Sequence, residues 1–192
     1  PVKPDGMPFR DVPKESWSYD YIQRVQKAGI VSGDGSGNFY PQNNVTREEF
    51  VKMLALALEL EPAEEGEYPF RDVADGDWFA PYVRVAYDSG IVKGVTGNDF
   101  GVGAHISRQD MAVMIDRALE KTGRKLEEGN WAVFADAAEI ADYAKESVGR
   151  LNAAGILVGS NGAFYPTDTL TREQAAKVIA MILDEAGRID AE

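Results

Sequence analysis

Residues 31–50 read VSGDGSGNFYPQNNVTREEF: a glycine-laden loop, an aromatic pair with proline, then Thr46-Arg47-Glu48-Glu49 at the head of an apolar run. Thr46 followed three residues later by Glu49 is a capping box, so a helix starts here, and the hydroxyl satisfies an orphan backbone N–H for about 1 kcal/mol. Arg47 then falls in the first turn, where the positive end of the helix dipole disfavours a cation. One such misfit would mean little. Its recurrence decides the fold.

The stretch returns as Ser107-Arg108-Gln109-Asp110 and as Thr171-Arg172-Glu173-Gln174. Working outward, Phe9-Arg10-Asp11-Val12 returns as Phe70-Arg71-Asp72-Val73 and, weakened, as Phe134-Ala135-Asp136-Ala137. Trp17 and Trp78 each stand eight residues after their phenylalanine, and Ala28-Gly29-Ile30 returns as Ser89-Gly90-Ile91 and Ala154-Gly155-Ile156. The offset is 61 residues from the first copy to the second and 64 to 65 from the second to the third. The chain is a threefold repeat, with copies expected at 7–62, 68–123 and 131–186.

Each copy carries two helical patterns. The first has Tyr21, Ile22 and Val25 on one face (Tyr82, Val83 and Ala86; Val148 and Leu151), and Gly29, Gly90 or Gly155 where a left-handed residue would end the helix. The second has apolar residues at i, i+3, i+4, i+7 and i+8: Phe50, Met53, Leu54, Ala57 and Leu58, then Met111 through Leu119, then Ala175 through Leu183. Three such stripes bury themselves most simply against one another. The expected fold is mainly α, a pseudo-threefold arrangement whose second helices form a central three-helix bundle. A repeat this short cannot bury its stripe alone, so one compact unit is expected.

The 192 residues are 44% hydrophobic and 27% charged, with a formal net charge of −12 and no cysteine. That charge argues against nucleic acid or an anionic membrane surface as partner. No apolar run reaches the roughly 18 residues of a membrane span, so no membrane insertion is expected. No leader-like run stands before Pro1, and an exported chain is expected here in mature or excised form. With no cysteine and a single histidine, His105, zinc chemistry and Ser-His or Cys-His nucleophilic catalysis are nearly excluded. Asp34-Gly-Ser36-Gly-Asn38 imitates a calcium loop, but Phe39 stands where the turn glycine belongs and Val45 where the bidentate glutamate belongs. Neither metal nor cofactor is expected.

Two accounts of the repeated arginine remain open. It pairs with a nearby acid, such as Glu48 or a neighbouring copy's aspartate, or it converges with the helix N-terminus on an external carboxylate or phosphate. On the second account, Arg→Ala lowers ligand binding and leaves the melting temperature nearly unchanged.

The ordered set Phe-x-Asp-Val, Trp, Ala-Gly-Ile, Gly-rich turn with Phe-Tyr-Pro and Thr-Arg-x-Glu resembles the S-layer homology domain, from Phe9 to about Leu183. The resemblance implies non-catalytic, non-covalent anchoring of an extracellular protein to the Gram-positive cell wall, with secondary cell wall polymer bound in grooves between repeats. It also implies pyruvylated N-acetylmannosamine as the epitope, whose carboxylate is the anion the arginines call for. Carried over, the ligand residues are Thr46, Arg47 and Glu48; Ser107, Arg108 and Gln109; and Thr171, Arg172 and Glu173. Trp17 and Trp78 are candidates to stack on sugar, or are core anchors of the first helices. Gly33, Gly94 and Gly159 let backbone N–H groups approach a ligand, or serve turn geometry alone. Asp11, Asp72 and Asp136 accept sugar hydroxyls, or serve as turn residues and caps. The rival reading is a protein–protein or surface-layer self-assembly module, with self-association through attached domains.

The copies differ. The second has Ser107, Gln109 and Phe100-Gly-Val; the third has Tyr143 at the tryptophan spacing from Gly155. Unequal grooves are expected, at least one of them weak or silent.

Overall fold

The capping signals all start helices. In the computed structural model, which describes residues 6–185, Thr46 Oγ1 accepts the Glu49 N–H at 3.4 Å while the Glu49 carboxylate accepts the Thr46 N–H at 3.0 Å, opening α2 (Arg47–Ala57). Thr171 and Gln174 make the same reciprocal pair before α6 (Arg172–Glu185). Before α4 (Arg108–Lys121), Ser107 accepts the Asp110 N–H at 3.2 Å, and only this half of the box is made. The first helices, α1 (Tyr19–Lys27), α3 (Ala80–Asp88) and α5 (Lys145–Ala153), are nine residues each. All three end alike. Gly29, Gly90 and Gly155 hold φ of 72°, 75° and 71°, and the next isoleucine N–H reaches back five residues to the carbonyl of Val25, Ala86 or Leu151. Glycine adopts that left-handed conformation without steric penalty, which is why it recurs there. Two 3₁₀ turns, Trp131–Val133 and Ala137–Glu139, precede α5.

Helix packing runs across the repeats. Among the described residues α2 packs on α3, α4 on α5, and α6 back on α1, while α2 also touches α4 and α6. Among the described residues the two helices of one copy do not pack on each other. Every residue of the three second-helix stripes is buried, and they share one apolar core with Ile22, Val25, Val83, Val148 and Leu151. Each such side chain left in water would forfeit about 1.5–3 kcal/mol. A lone copy has nothing to cover its stripe, so the chain should unfold as a single cooperative unit.

At the pseudo-threefold centre the segments before the second helices bond in a ring. Val45 N–H donates to Leu170 C=O (2.9 Å), Leu170 to Ile106 (3.4 Å) and Ile106 to Val45 (3.1 Å), all three side chains fully buried. Asp184, near the end of α6, is exposed and pairs with Arg24. Residue 186, Asp190 and Glu192 lie outside the described residues. No helix among the described residues is long and apolar enough to cross a membrane.

Candidate functional site

The recurrent aspartate and arginine grip one peptide from both sides. Asp72 accepts the N–H groups of Phe100 (2.8 Å), Gly101 (2.7 Å) and Val102 (2.9 Å). Asp11 does the same for Phe39 and Tyr40, and Asp136 for Phe164 and Tyr165. The carbonyl of each phenylalanine then accepts an arginine Nε–H from the preceding repeat: Arg47 at Phe100 (3.0 Å), Arg108 at Phe164 (2.7 Å) and Arg172 at Phe39 (2.8 Å). Each guanidinium also lies over that ring, 4.6 to 5.3 Å from its centroid. The sugar-hydroxyl role weighed for these aspartates therefore meets carboxylates already occupied by backbone.

The residue after the phenylalanine holds positive φ, 58° at Tyr40, 57° at Tyr165 and 92° at Gly101. That conformation strains a tyrosine, and the aspartate bonds hold it. Gly101 does without the strain, and a Cβ there would stand 3.2 Å from Arg47 Nε. The departure from Tyr-Pro in the second copy thus leaves Arg47 room to sink to 4% exposure.

Burial raises the carboxyls of Asp72 and Asp136, but their backbone N–H bonds outweigh it and hold both below the usual range. A depressed folded-state value stabilises the fold above the unfolded value of about 3.9, and this contribution is lost as pH falls through the folded value. Urea midpoints should therefore be flat from pH 7 to 5 and fall below about pH 4. Asp72→Asn should flatten part of that acid limb.

The first N–H groups of α4 and α6, and those of Arg47 and Glu49 in α2, are taken by protein acceptors. The Arg47, Arg108 and Arg172 N–H groups donate to Ala104, Asp168 and Asn43, those of Gln109 and Glu173 to Pro166 and Pro41, and the next N–H in each helix to its cap. Convergence of helix end and guanidinium on one ligand gives way on this point, because the neighbouring repeat supplies the acceptors. Thr46, Ser107 and Thr171 are engaged as caps. Glu48 accepts the Gly103 N–H, Gln109 that of Ala141, and Glu173 the hydroxyl of Ser18 and the amide of Gln42. These three side chains tie repeats together, outside the cavities. An unchanged melting temperature in Arg→Ala variants also gives way: each loses a bond to a neighbour's carbonyl, worth about 1.5–3 kcal/mol for a charged donor.

What remains open is the space in front of each guanidinium. A cavity of about 400 Å³ brings Arg108 together with Trp17, Val158, Gly159, Tyr165 and Lys177. A second, of about 330 Å³, joins Arg47 to Val95, Gly94, Asp110, Arg117 and Tyr143. A third, of about 120 Å³, joins Arg172 to Ser32, Glu49, Lys52 and Trp78. The pattern is cyclic: arginine from one repeat, loop and second helix from the next, aromatic from the one after. Trp17, Trp78 and Tyr143 are 54%, 55% and 57% exposed, so none is a core anchor. Gly94 and Gly159 line these cavities, and Gly33 lines none of the three. All three glycines abut the Phe70, Phe134 or Phe9 ring so closely that a Cβ would stand under 3 Å from it.

The grooves differ electrostatically. Burial pushes the Arg47 and Arg108 guanidinium groups below the usual arginine range, opposed by Asp110 for the first and Asp168 for the second, yet both stay charged. Arg47 Nη1 meets the Asp110 carboxylate at 3.4 Å and Arg172 Nη1 meets Glu49 at 3.8 Å. Among the described residues Arg108 has no carboxylate within ion-pair distance. In the Arg172 groove, Lys52 Nζ lies 5.1 Å from the Trp78 ring, filling space that stays open before Arg108. The flanking cations Lys52 and Lys177 escaped the sequence reading, although both stand six residues after their cap threonine. Their shared register was the available signal. The second copy has Val113 there and brings in Arg117 one turn later.

The S-layer homology domain model matches at residues 8–51, 69–112 and 133–176, more than half of the chain, and the chain belongs to that family. It is 34% identical over 94% of its length to an endoglucanase from Bacillus sp. (strain KSM-635), and 33% over 94% to the S-layer protein sap from Bacillus anthracis. It is also 33% identical over 97% of its length to an exoglucanase from Acetivibrio thermocellus. The chain spans about a fifth of the length of these relatives, 19%, 22% and 18% respectively.

Proposed function

We propose that this chain is a non-catalytic anchor that holds an extracellular protein to the bacterial cell wall by binding secondary cell wall polymer in its inter-repeat grooves. The observation that carries the reading is the Arg108 groove. There a guanidinium with no carboxylate at ion-pair distance among the described residues lines a cavity of about 400 Å³ together with Lys177, Asp168 and the half-exposed Trp17 ring. A cavity of that size takes a sugar residue or two. Two cations and an aromatic lining one cavity suit a saccharide carrying a carboxylate, such as a pyruvylated N-acetylmannosamine. The relatives support the reading, since an S-layer protein and two glucanases share this segment while most of each lies outside it.

The Arg108 groove is the principal site, and the Arg47 and Arg172 grooves, each with a carboxylate at its guanidinium, are weaker. Weak sites facing one repeating polymer still add through effective concentration. Sedimentation with purified Gram-positive wall, before and after chemical removal of the non-peptidoglycan polymer, tests the function. The chain should pellet with intact wall and stay in the supernatant with stripped wall. Equal pelleting with both would point to peptidoglycan or protein as the partner.

A further inference from the structure

One carboxylate in the Arg47 groove is placed as a ligand's would be. Asp110, from the second repeat, meets Arg47 Nη1 of the first repeat at 3.4 Å, and its other oxygen accepts the Tyr143 hydroxyl of the third at 2.8 Å. The equivalent Glu49 and Gln174 bend back to close their capping boxes at 3.0 Å. Asp110, one methylene shorter, leaves the box half made and reaches across the cavity instead. Three repeats thus converge on a single carboxylate at the groove mouth. Local helix capping does not account for this geometry, since the capping bond is the one given up.

We propose that Asp110 is a built-in competitor: its carboxylate, steadied by Tyr143, occupies Arg47 and excludes an anionic saccharide from the second groove. The inference rests on the anionic-sugar reading of the grooves and adds the residue that sets selectivity in one of them. Asp110 satisfies a buried guanidinium that water reaches poorly, so the closed state is the resting state. An incoming carboxylate must displace the Asp110 carboxylate before making its own contact, whereas among the described residues no carboxylate stands at ion-pair distance from Arg108. Lys93 and Arg117 also line this groove, so its wall stays cationic once Asp110 is neutralised. Tyr143 acts as a positioning residue, holding the carboxylate over the guanidinium.

The test is a groove-resolved titration of the whole 192-residue chain, followed by backbone amide shifts. The probe is the pyruvate ketal of methyl N-acetylmannosaminide, with its methyl ester as uncharged control. Gly94 and Val95 report the Arg47 groove, and Gly159 and Ser160 the Arg108 groove. Asp110→Asn retains the backbone cap and should tighten acid binding at Gly94 and Val95 about tenfold, the factor expected for relief of one charge-assisted contact. Ester binding there and acid binding at Gly159 and Ser160 should not change. Tyr143→Phe, which keeps the ring, should give a smaller gain in the same groove. Unchanged acid affinity in the Arg47 groove of both variants overturns the proposal, even if the Arg108 groove binds normally. Binding in the opened Arg47 groove with none at Arg108 supports it and removes the assignment of Arg108 as principal site. Absence of binding in every groove of every variant overturns both readings.

Discussion

Asp72→Ala should lower the unfolding free energy by about 3 kcal/mol and the midpoint by about 10 °C, in a transition that stays single and cooperative. The size follows from what the carboxylate holds. Three successive N–H groups, of Phe100, Gly101 and Val102, donate to it, and no other single acceptor in the loop could serve all three. Bonds to a charged acceptor are worth about 1.5–3 kcal/mol each, and water recovers part of the loss at this half-buried position. The damage should also travel. The Phe100 carbonyl is the Arg47 Nε acceptor, so loosening the loop loosens the joint between the first and second repeats. Because α2 packs on α3, and not on α1, that joint is part of the core and not a hinge. Asp72→Asn should recover less than half of the loss, since an amide presents one acceptor oxygen where the carboxylate presents two. A shift below about 1 kcal/mol in the alanine variant would show that the bracket around Phe100 is not what fixes the loop.

Trp17→Ala should weaken binding of a monovalent acidic wall saccharide by about tenfold or more, the usual penalty for truncating an aromatic anchor in a recognition surface. Its melting temperature should stay within about 2 °C of the parent, because the ring is 54% exposed and touches the aromatic Tyr21 only loosely, with 6.4 Å between ring centroids. Arg108→Ala should lose at least as much affinity, but with a loss of stability as well, since its bonds to Phe164 and Val158 C=O disappear. The tryptophan is therefore the cleaner probe. If Trp17→Ala bound as tightly as the parent while Arg108→Ala did not, the charged floor alone would make the site and the aromatic rim would be incidental.

Local spacing carries much of this molecule. The capping boxes at Thr46 and Thr171, the terminal glycines of the first helices and all three apolar stripes are legible because each depends on residues within one or two helical turns. What sits across from what is not legible. Arg47 looks like a first-turn misfit until the Phe100 carbonyl, 53 residues away, is seen to take its Nε. The helix N-termini look open to an anion until the next repeat's carbonyls are in place. Periodicity names the buried face of a helix but not the helix that covers it, so closure of α6 on α1 and α2 on α3 lies beyond it. Asp110 is the sharpest case. It reads as a slightly poor capping residue, and only the arrival of Tyr143 from the third repeat shows where its carboxylate goes.

The most direct test of the anchoring account is the Trp17 indole N–H resonance and the Gly159 and Ser160 amides of the intact chain, titrated with a wall disaccharide with and without its pyruvate ketal. The account predicts saturable shifts at these three positions with the acidic disaccharide, and shifts at least tenfold weaker in affinity once the carboxylate is removed. Equal responses to both sugars, or shifts confined to surfaces away from the arginine grooves, would contradict it.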